Sequence, residues 1–126
     1  MRIEAWGPDL ATCCEEAIAG LLDTCVDRAA AGVSLVARHA VHVTGVDDLH
    51  LLLDLLDETV FLLDTSEGVP VGAAVHRSGQ GLDATFELAD ADTVEAAGSV
   101  PKAVARSELE LDTRDDEVRC RFLVDV

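Results

Sequence analysis

The stretch that decides the fold reads DLHLLLDLLDETVFLLDT and covers residues 48–65. Its leucines spread over a wide arc at helical spacing, which predicts a helix over about residues 48–64 that is buried on most sides. Asp47 precedes the stretch and is expected to cap the helix. Its polar side chains form one thin stripe, made of His50, Asp54, Asp57 and Glu58.

The chain before this helix contains a predicted strand and a second predicted helix. Apolar and polar residues alternate over residues 33–44, which predicts a long strand with one mostly apolar face, ended by Gly45. Residues 1–6 predict a short strand. The helix that follows ends before Ala31-Gly32, and its start is marked by a capping box at 12–15 or, alternatively, by Asp9. Its apolar face consists of Leu10, Cys14, Ala17, Ile18, Leu21, Leu22 and Cys25.

The second half of the chain has the patterns of a β-structure. The predicted strands are residues 69–77, 82–89, 102–111 and 118–126. Ser78-Gly79-Gln80-Gly81 joins the first two as a hairpin, and a turn at 113–117 joins the last two. The alternation slips near Ser107, where an irregularity is expected. The sequence therefore predicts one α+β domain over residues 1–126, a two-layer sandwich of two helices on a mostly antiparallel sheet.

The charge balance limits the class of partner. Lys and Arg total 9 and Asp and Glu total 25, so the formal net charge is −16. Binding to a phosphate backbone depends on basic side chains, so nucleic acid is not expected as a direct partner. A cation or a basic protein fits this charge better. The hydrophobic content of 49% is too high for intrinsic disorder.

The cysteines and the apolar runs indicate a cytoplasmic protein. No signal-peptide run follows Met1, and no segment approaches the ~18 apolar residues of a membrane span. The four cysteines have no Cys-x-x-Cys spacing, which disfavours a zinc site. They are expected to be reduced and mostly buried.

Two features could carry chemistry, and each has an ordinary alternative. His50 and Asp54 are four residues apart, so they could ligate a metal or serve a small hydrolase, but a solvent-facing stripe has the same spacing. If Val126 is the natural end, its carboxylate lies beside that of Asp125, and a divalent cation would relieve their repulsion. The alternative is a frayed acidic terminus. Lys102, the single lysine, forms either an ordered ion pair beside a site or a surface salt bridge.

Several segments together resemble the archease family. Residues 52–65 are similar to its helix motif LxDWLNELLYLFDT. Lys102-Ala103-Val104 is similar to the start of its KAVTYH strand, and residues 122–126 are similar to its closing V-I-L-D-I. Residues 3–7, followed by a helix, fit its first strand and turn. The resemblance extends over nearly the whole chain and implies an archease-like fold.

The resemblance implies an accessory role and no catalysis by this chain. Archeases assist the RNA-splicing ligase RtcB, promoting its guanylylation and multiple turnover in tRNA splicing and RNA repair. They bind a divalent cation (Ca, Mg or Mn) through an Asp of an N-terminal DHTADI-like motif, a penultimate Asp and the terminal carboxylate. Asp125 and Val126 match the last two ligands. Asp54 and Lys102 match motif positions near that site and, with Glu58, are expected to serve the ligase partner.

The sequence also departs from the family pattern. The DHTADI-like stretch is expected just before Arg2, so either the chain begins late or one cation ligand is missing. Residues 105–107 are Ala, Arg and Ser, so the tyrosine and histidine of KAVTYH are absent. Leu55 replaces the helix tryptophan and Asp57 its asparagine. The alternative hypothesis is therefore a divergent archease-fold interaction module that has lost cation binding and ligase activation.

Overall fold

The computed structural model describes residues 1–28, 31–65 and 68–126. The helices are α1 (Leu10–Asp23) and α2 (Asp48–Thr65). The strands are β1 (Arg2–Gly7), β2 (Leu35–Val43), β3 (Val69–Ser78), β4 (Gly81–Ala89), β5 (Ala103–Val104), β6 (Glu110–Arg114) and β7 (Glu117–Asp125). Short 3₁₀ turns cover Ala91–Thr93 and Arg106–Glu108.

The strands form two antiparallel sheets. In the first sheet β7 is the shared strand, pairing with β1, with β5 and with β6. In the second sheet the order is β2-β4-β3. Helix α1 contacts both β1 and β3, and so connects the two sheets. The predicted α+β fold of two helices on antiparallel strands is confirmed, with the strands divided between two sheets where the sequence predicts one.

The core lies between the helices and the two sheets. Phe86 of β4 and Phe122 of β7 are fully buried, one from each sheet. The buried leucines of α2 are Leu51, Leu52, Leu53, Leu55, Leu56 and Leu62, which confirms that this helix is buried over a wide arc. Each buried leucine stabilises the fold by about 1.5–3 kcal/mol relative to exposure.

The helix caps follow from two aspartates. Asp9 Oδ1 accepts the Thr12 N–H at 2.8 Å, so Asp9 is the N-cap of α1 and the capping box at 12–15 is wrong. Asp47 Oδ1 accepts the His50 N–H at 2.9 Å, as expected for the start of α2. Helix α1 ends at Asp23, well before Ala31-Gly32.

Strand β2, which precedes α2, is mostly exposed to solvent. The sequence predicts a long strand over residues 33–44 with one mostly apolar face; β2 spans Leu35–Val43, and of its residues only Val43 is buried. Leu35 and Val36 are 51% and 58% exposed. Besides β4, the only element of the described chain that contacts β2 more than slightly is α2, so little packs over the faces of this edge strand.

The predicted strand at 102–111 is interrupted. The structure has β5 at Ala103–Val104, a 3₁₀ turn at Arg106–Glu108 and then β6. The irregularity expected near Ser107 is present, but it divides the segment into two strands. Both strands pair with β7, β5 at Val124-Asp125 and β6 over the first half of β7.

The remaining local predictions hold. Ser78 and Gly81 flank a two-residue turn in which Gly79 has a φ of 59°, a left-handed conformation that glycine adopts without strain. The four cysteines are free and buried. Within residues 1–28, 31–65 and 68–126, no helix is both long and apolar enough to cross a membrane.

Candidate functional site

The end of β7 brings together two predicted site residues that are far apart in the sequence. The Lys102 N–H donates to the Asp125 carbonyl at 2.7 Å, and Ala103 pairs with Asp125 in the β5–β7 ladder. The side chains of Lys102, Asp125 and Val126 are all exposed. The pairing of β5 with β7 therefore places a lysine and an aspartate at one accessible end of the sheet.

The polar stripe of α2 faces solvent. Asp54 is exposed, and His50 Nδ1 lies 2.7 Å from Asp47 Oδ1, so His50 pairs with the cap aspartate. Of the two alternatives that the sequence leaves open, the structure therefore favours the solvent-facing stripe over a pairing of His50 with Asp54 as metal ligands or hydrolase groups. Since His50 is also exposed, these two residues form no enclosed reaction site.

Two other members of the stripe contact opposite flanks of the helix. Glu58 Oε1 lies 2.9 Å from His39 Nε2 of β2, in the three-stranded sheet. Asp57 Oδ2 accepts a hydrogen bond from Arg106 Nη2 at 3.4 Å, beside β5. Of the predicted partner residues, Glu58 thus contacts β2, while Lys102 lies with Asp125 at the β5–β7 end.

The surroundings of Asp57 disfavour its charge. Burial raises the pKa of the Asp57 carboxyl above its usual value, Arg106 acts in the opposite direction, and the neighbouring Asp54 raises it again. Because burial is the main cause, the ion pair with Arg106 compensates only in part. The Asp57 carboxylate that pairs with Arg106 is therefore partly desolvated, which disfavours its charged form.

A groove beside Lys102 was not predicted from the sequence. Its lining residues are Val60, Phe61, Asp64, Val100, Pro101 and Lys102. Phe61 and Val100 are 57% and 53% exposed, so apolar side chains reach solvent next to the lysine. The spacing of Phe61 could have indicated its exposure, because it lies seven residues after Asp54 and so on the same helix face.

The described residues offer few ligands for a metal ion. Within residues 1–28, 31–65 and 68–126, no three His, Cys, Asp or Glu side chains are placed to hold a metal together. Hard cations take six or more oxygen ligands, so the predicted ligands Asp125 and Val126 do not by themselves complete such a site.

The fold defined above is that of two solved structures. One is the crystal structure of an archease, described as a possible chaperone, from Thermotoga maritima, with a TM-score of 0.74 and 17% identity over 100% of this chain and 90% of that chain. The other is the solution structure of Methanobacterium thermoautotrophicum protein 1598, with a TM-score of 0.77 and 22% identity over 99% of this chain and 91% of that chain. At these identities the likeness shows the fold alone.

The sequence identifies the family. Residues 1–126 match the archease protein family (MTH1598/TM1083). The probable protein archease of two Mycobacterium tuberculosis strains, CDC 1551/Oshkosh and H37Rv, is 35% identical over 131 residues, which cover 100% of this chain and 69% of that protein. This chain belongs to the archease family.

Proposed function

We propose that this chain binds a divalent cation and assists an RtcB-type RNA ligase, in tRNA splicing and RNA repair, by promoting guanylylation of the ligase. The observation that carries the proposal is the pairing of β5 with β7, which places Lys102 against Asp125. Both residues occupy positions that match the motifs of the archease family, to which the whole chain belongs. The role is that of a protein cofactor, and catalysis stays with the ligase.

The cation is assigned to the side-chain carboxylate of Asp125 and, if Val126 is the natural end of the chain, to the terminal carboxylate of Val126. Carboxylate oxygens suit Ca²⁺, Mg²⁺ and Mn²⁺, which are hard or moderately hard cations. Hard cations take six or more oxygen ligands, so water or further ligands would complete the coordination shell beyond these two groups.

The partner surface is assigned to Asp54, Glu58 and Lys102. A net charge of −16 favours a basic partner surface and disfavours direct contact with RNA, which the chain would reach only through the ligase. Asp54 is exposed on α2 and is available to such a partner. No membrane partner is proposed. Four free, buried cysteines support a reducing compartment, and we place the protein in the cytoplasm.

A guanylylation assay tests the accessory role. The cognate ligase, GTP and Mn²⁺ are combined with and without this protein, and the rate of ligase guanylylation is measured. We expect the protein to accelerate guanylylation, and Lys102→Ala or Asp125→Asn to reduce the acceleration about tenfold, as for loss of a charged contact at a binding site. Glu16→Gln, an exposed carboxylate on α1, is the matched control and should leave it unchanged. An unchanged ligase rate with the unaltered protein would refute the proposal.

Calorimetric titration separates the proposal from its alternative. With Mn²⁺ or Ca²⁺ we expect a weak binding heat that disappears in Asp125→Asn. The alternative is a divergent interaction module without cation binding or ligase activation. It is favoured by the lack of a three-ligand cluster among the described residues. A titration without heat, together with an inactive protein in the ligase assay, would establish that alternative.

A further inference from the structure

The two edges of the three-stranded sheet differ in how they are covered. At the β3 edge, Glu15 Oε1 of α1 accepts the Val75 N–H at 3.0 Å. Arg28 Nη1 donates to the Val71 carbonyl at 2.9 Å on the same strand. Helix α1 packs along β3, so side chains from outside the sheet satisfy backbone groups of this edge.

The β2 edge has no such cover. Strand β2 pairs with β4 on one side. On its other side, no side chain of the described ranges bonds to the backbone of Leu35–Val43. The ladder with β4 is irregular only between Leu35 and Ala37, and from Ala37 to Val43 it runs without a break. Protein sheets usually protect such an edge with charges, proline or a covering element, because it can pair with another strand.

The charge along this edge is unusual for so acidic a chain. The strand reads LVARHAVHV and contains no carboxylate, whereas the whole chain has 25. Carboxylates lie instead beside the strand, on α2. Glu58 is bonded to His39 of β2, and Asp54 lies one helical turn before Glu58 on the same helix face. Asp54 is exposed and forms no hydrogen bond or ion pair within the described part of the chain.

We propose that the free edge of β2 accepts an extended segment of a partner protein as an added β-strand, and that this segment carries lysine or arginine at alternate positions. Side chains alternate between the two faces of a strand, so every second residue of the added strand would project toward α2. There it would meet Asp54 and Glu58. Backbone hydrogen bonds to β2 hold the added strand in place, and the two carboxylates favour a strand that carries basic residues.

A second copy of this chain is a poorer occupant. Two copies each carry a charge of −16 and repel one another, and β2 itself brings only Arg38 as a permanent positive charge. The inference shares Asp54 and Glu58 with the proposed ligase surface, but its docking edge belongs to the sheet that does not contain Asp125, so peptide binding can be tested without the ligase.

The test uses the 126-residue chain and a synthetic peptide of about ten residues in which lysine alternates with threonine and valine. Binding is followed by fluorescence anisotropy, and amide hydrogen exchange is measured by NMR. We expect the peptide to protect amides of Ala37–Val43, with no change at β3. Asp54→Asn combined with Glu58→Gln should weaken binding about fivefold, as expected for exposed ion pairs, whereas Glu16→Gln should not.

Three results would overturn the proposal. The first is absence of binding at millimolar peptide or protection at other strands. The second is equal binding of a peptide with glutamate in place of lysine. The third is a concentration-dependent dimer, seen by sedimentation, in which β2 is protected without peptide, because the occupant would then be a second copy. If Glu58→Gln fails to fold, Asp54→Asn alone and the decrease of affinity with salt decide the same question.

Discussion

The two helices both bury an apolar face in the core, made of Leu, Ile, Ala and Cys on α1 and mainly of Leu on α2. They use their acidic residues differently. On α1, Glu15 bonds to the backbone of β3. On α2, Asp54 is exposed, and the partner of Asp57 is Arg106, whose side chain is 75% exposed. Glu15 of α1 thus completes the structure, while Asp54 of α2 remains accessible to a partner.

The largest expected effect concerns the buried leucines that both helices contribute to the core. Leu21 of α1 and Leu55 of α2 have no exposed surface, so truncation leaves a cavity in either case. We expect Leu21→Ala and Leu55→Ala each to lower the free energy of unfolding by about 2–5 kcal/mol. Urea unfolding followed by circular dichroism measures both. Val46→Ala is the control, since Val46 is 86% exposed. A small loss for only one leucine would mean that the helices are not equally anchored.

An intermediate effect concerns the acidic side chains Glu15 and Asp54, which distinguish the two helices. Glu15→Ala removes the acceptor of the Val75 N–H, and we expect a loss of about 1–2 kcal/mol in the free energy of unfolding. Asp54→Ala removes an exposed carboxylate and should change it by less than about 0.5 kcal/mol. The same urea titration compares the two variants, with Glu16→Ala as a second exposed reference on α1. Equal losses at Glu15 and Asp54 would contradict the distinction.

The positions of the helices and strands could be predicted from the sequence better than the solvent exposure of each strand. Helix α2 and the β3–β4 hairpin were predictable because leucine spacing and the residues 78–81 act locally. The exposure of β2 was not, since its alternation does not reveal that only β4 lies beside it. Likewise the adjacency of Lys102 and Asp125 depends on strand pairing across 23 residues, and it was expected only through the family resemblance.

The smallest effect concerns pH. The pKa of the Asp9 carboxyl at α1 is lowered by hydrogen bonds from Thr12, first from its backbone N–H, and that of Asp47 at α2 by hydrogen bonds from His50, first from its side chain. An aspartate with a lowered pKa stabilises the fold above its unfolded value, near 3.8, and this stabilisation is lost as the pH falls through the lower folded value. Asp57 has a raised pKa, so its protonation on acidification favours the fold.

Urea unfolding between pH 7 and about pH 2.5 checks these directions, since the window covers the usual aspartate range. Asp9→Asn and Asp47→Asn should each reduce the loss of stability on acidification. Asp57→Asn should make the loss steeper, because it removes the one opposing contribution among the three. A shallower curve for Asp57→Asn would show that its ion pair with Arg106 outweighs burial.

The position of β7 has a consequence for biosynthesis. This strand, residues 117–125, is the partner of β1, β5 and β6, while the three-stranded sheet is complete by Ala89. During translation the second sheet and both helices can therefore form first. Strand β1 is synthesised before β7 and has no partner strand until β7 follows it. Its buried side chains Ile3 and Ala5 stay without their cross-strand neighbours Phe122 and Cys120 throughout that interval, so the first sheet forms later than the second.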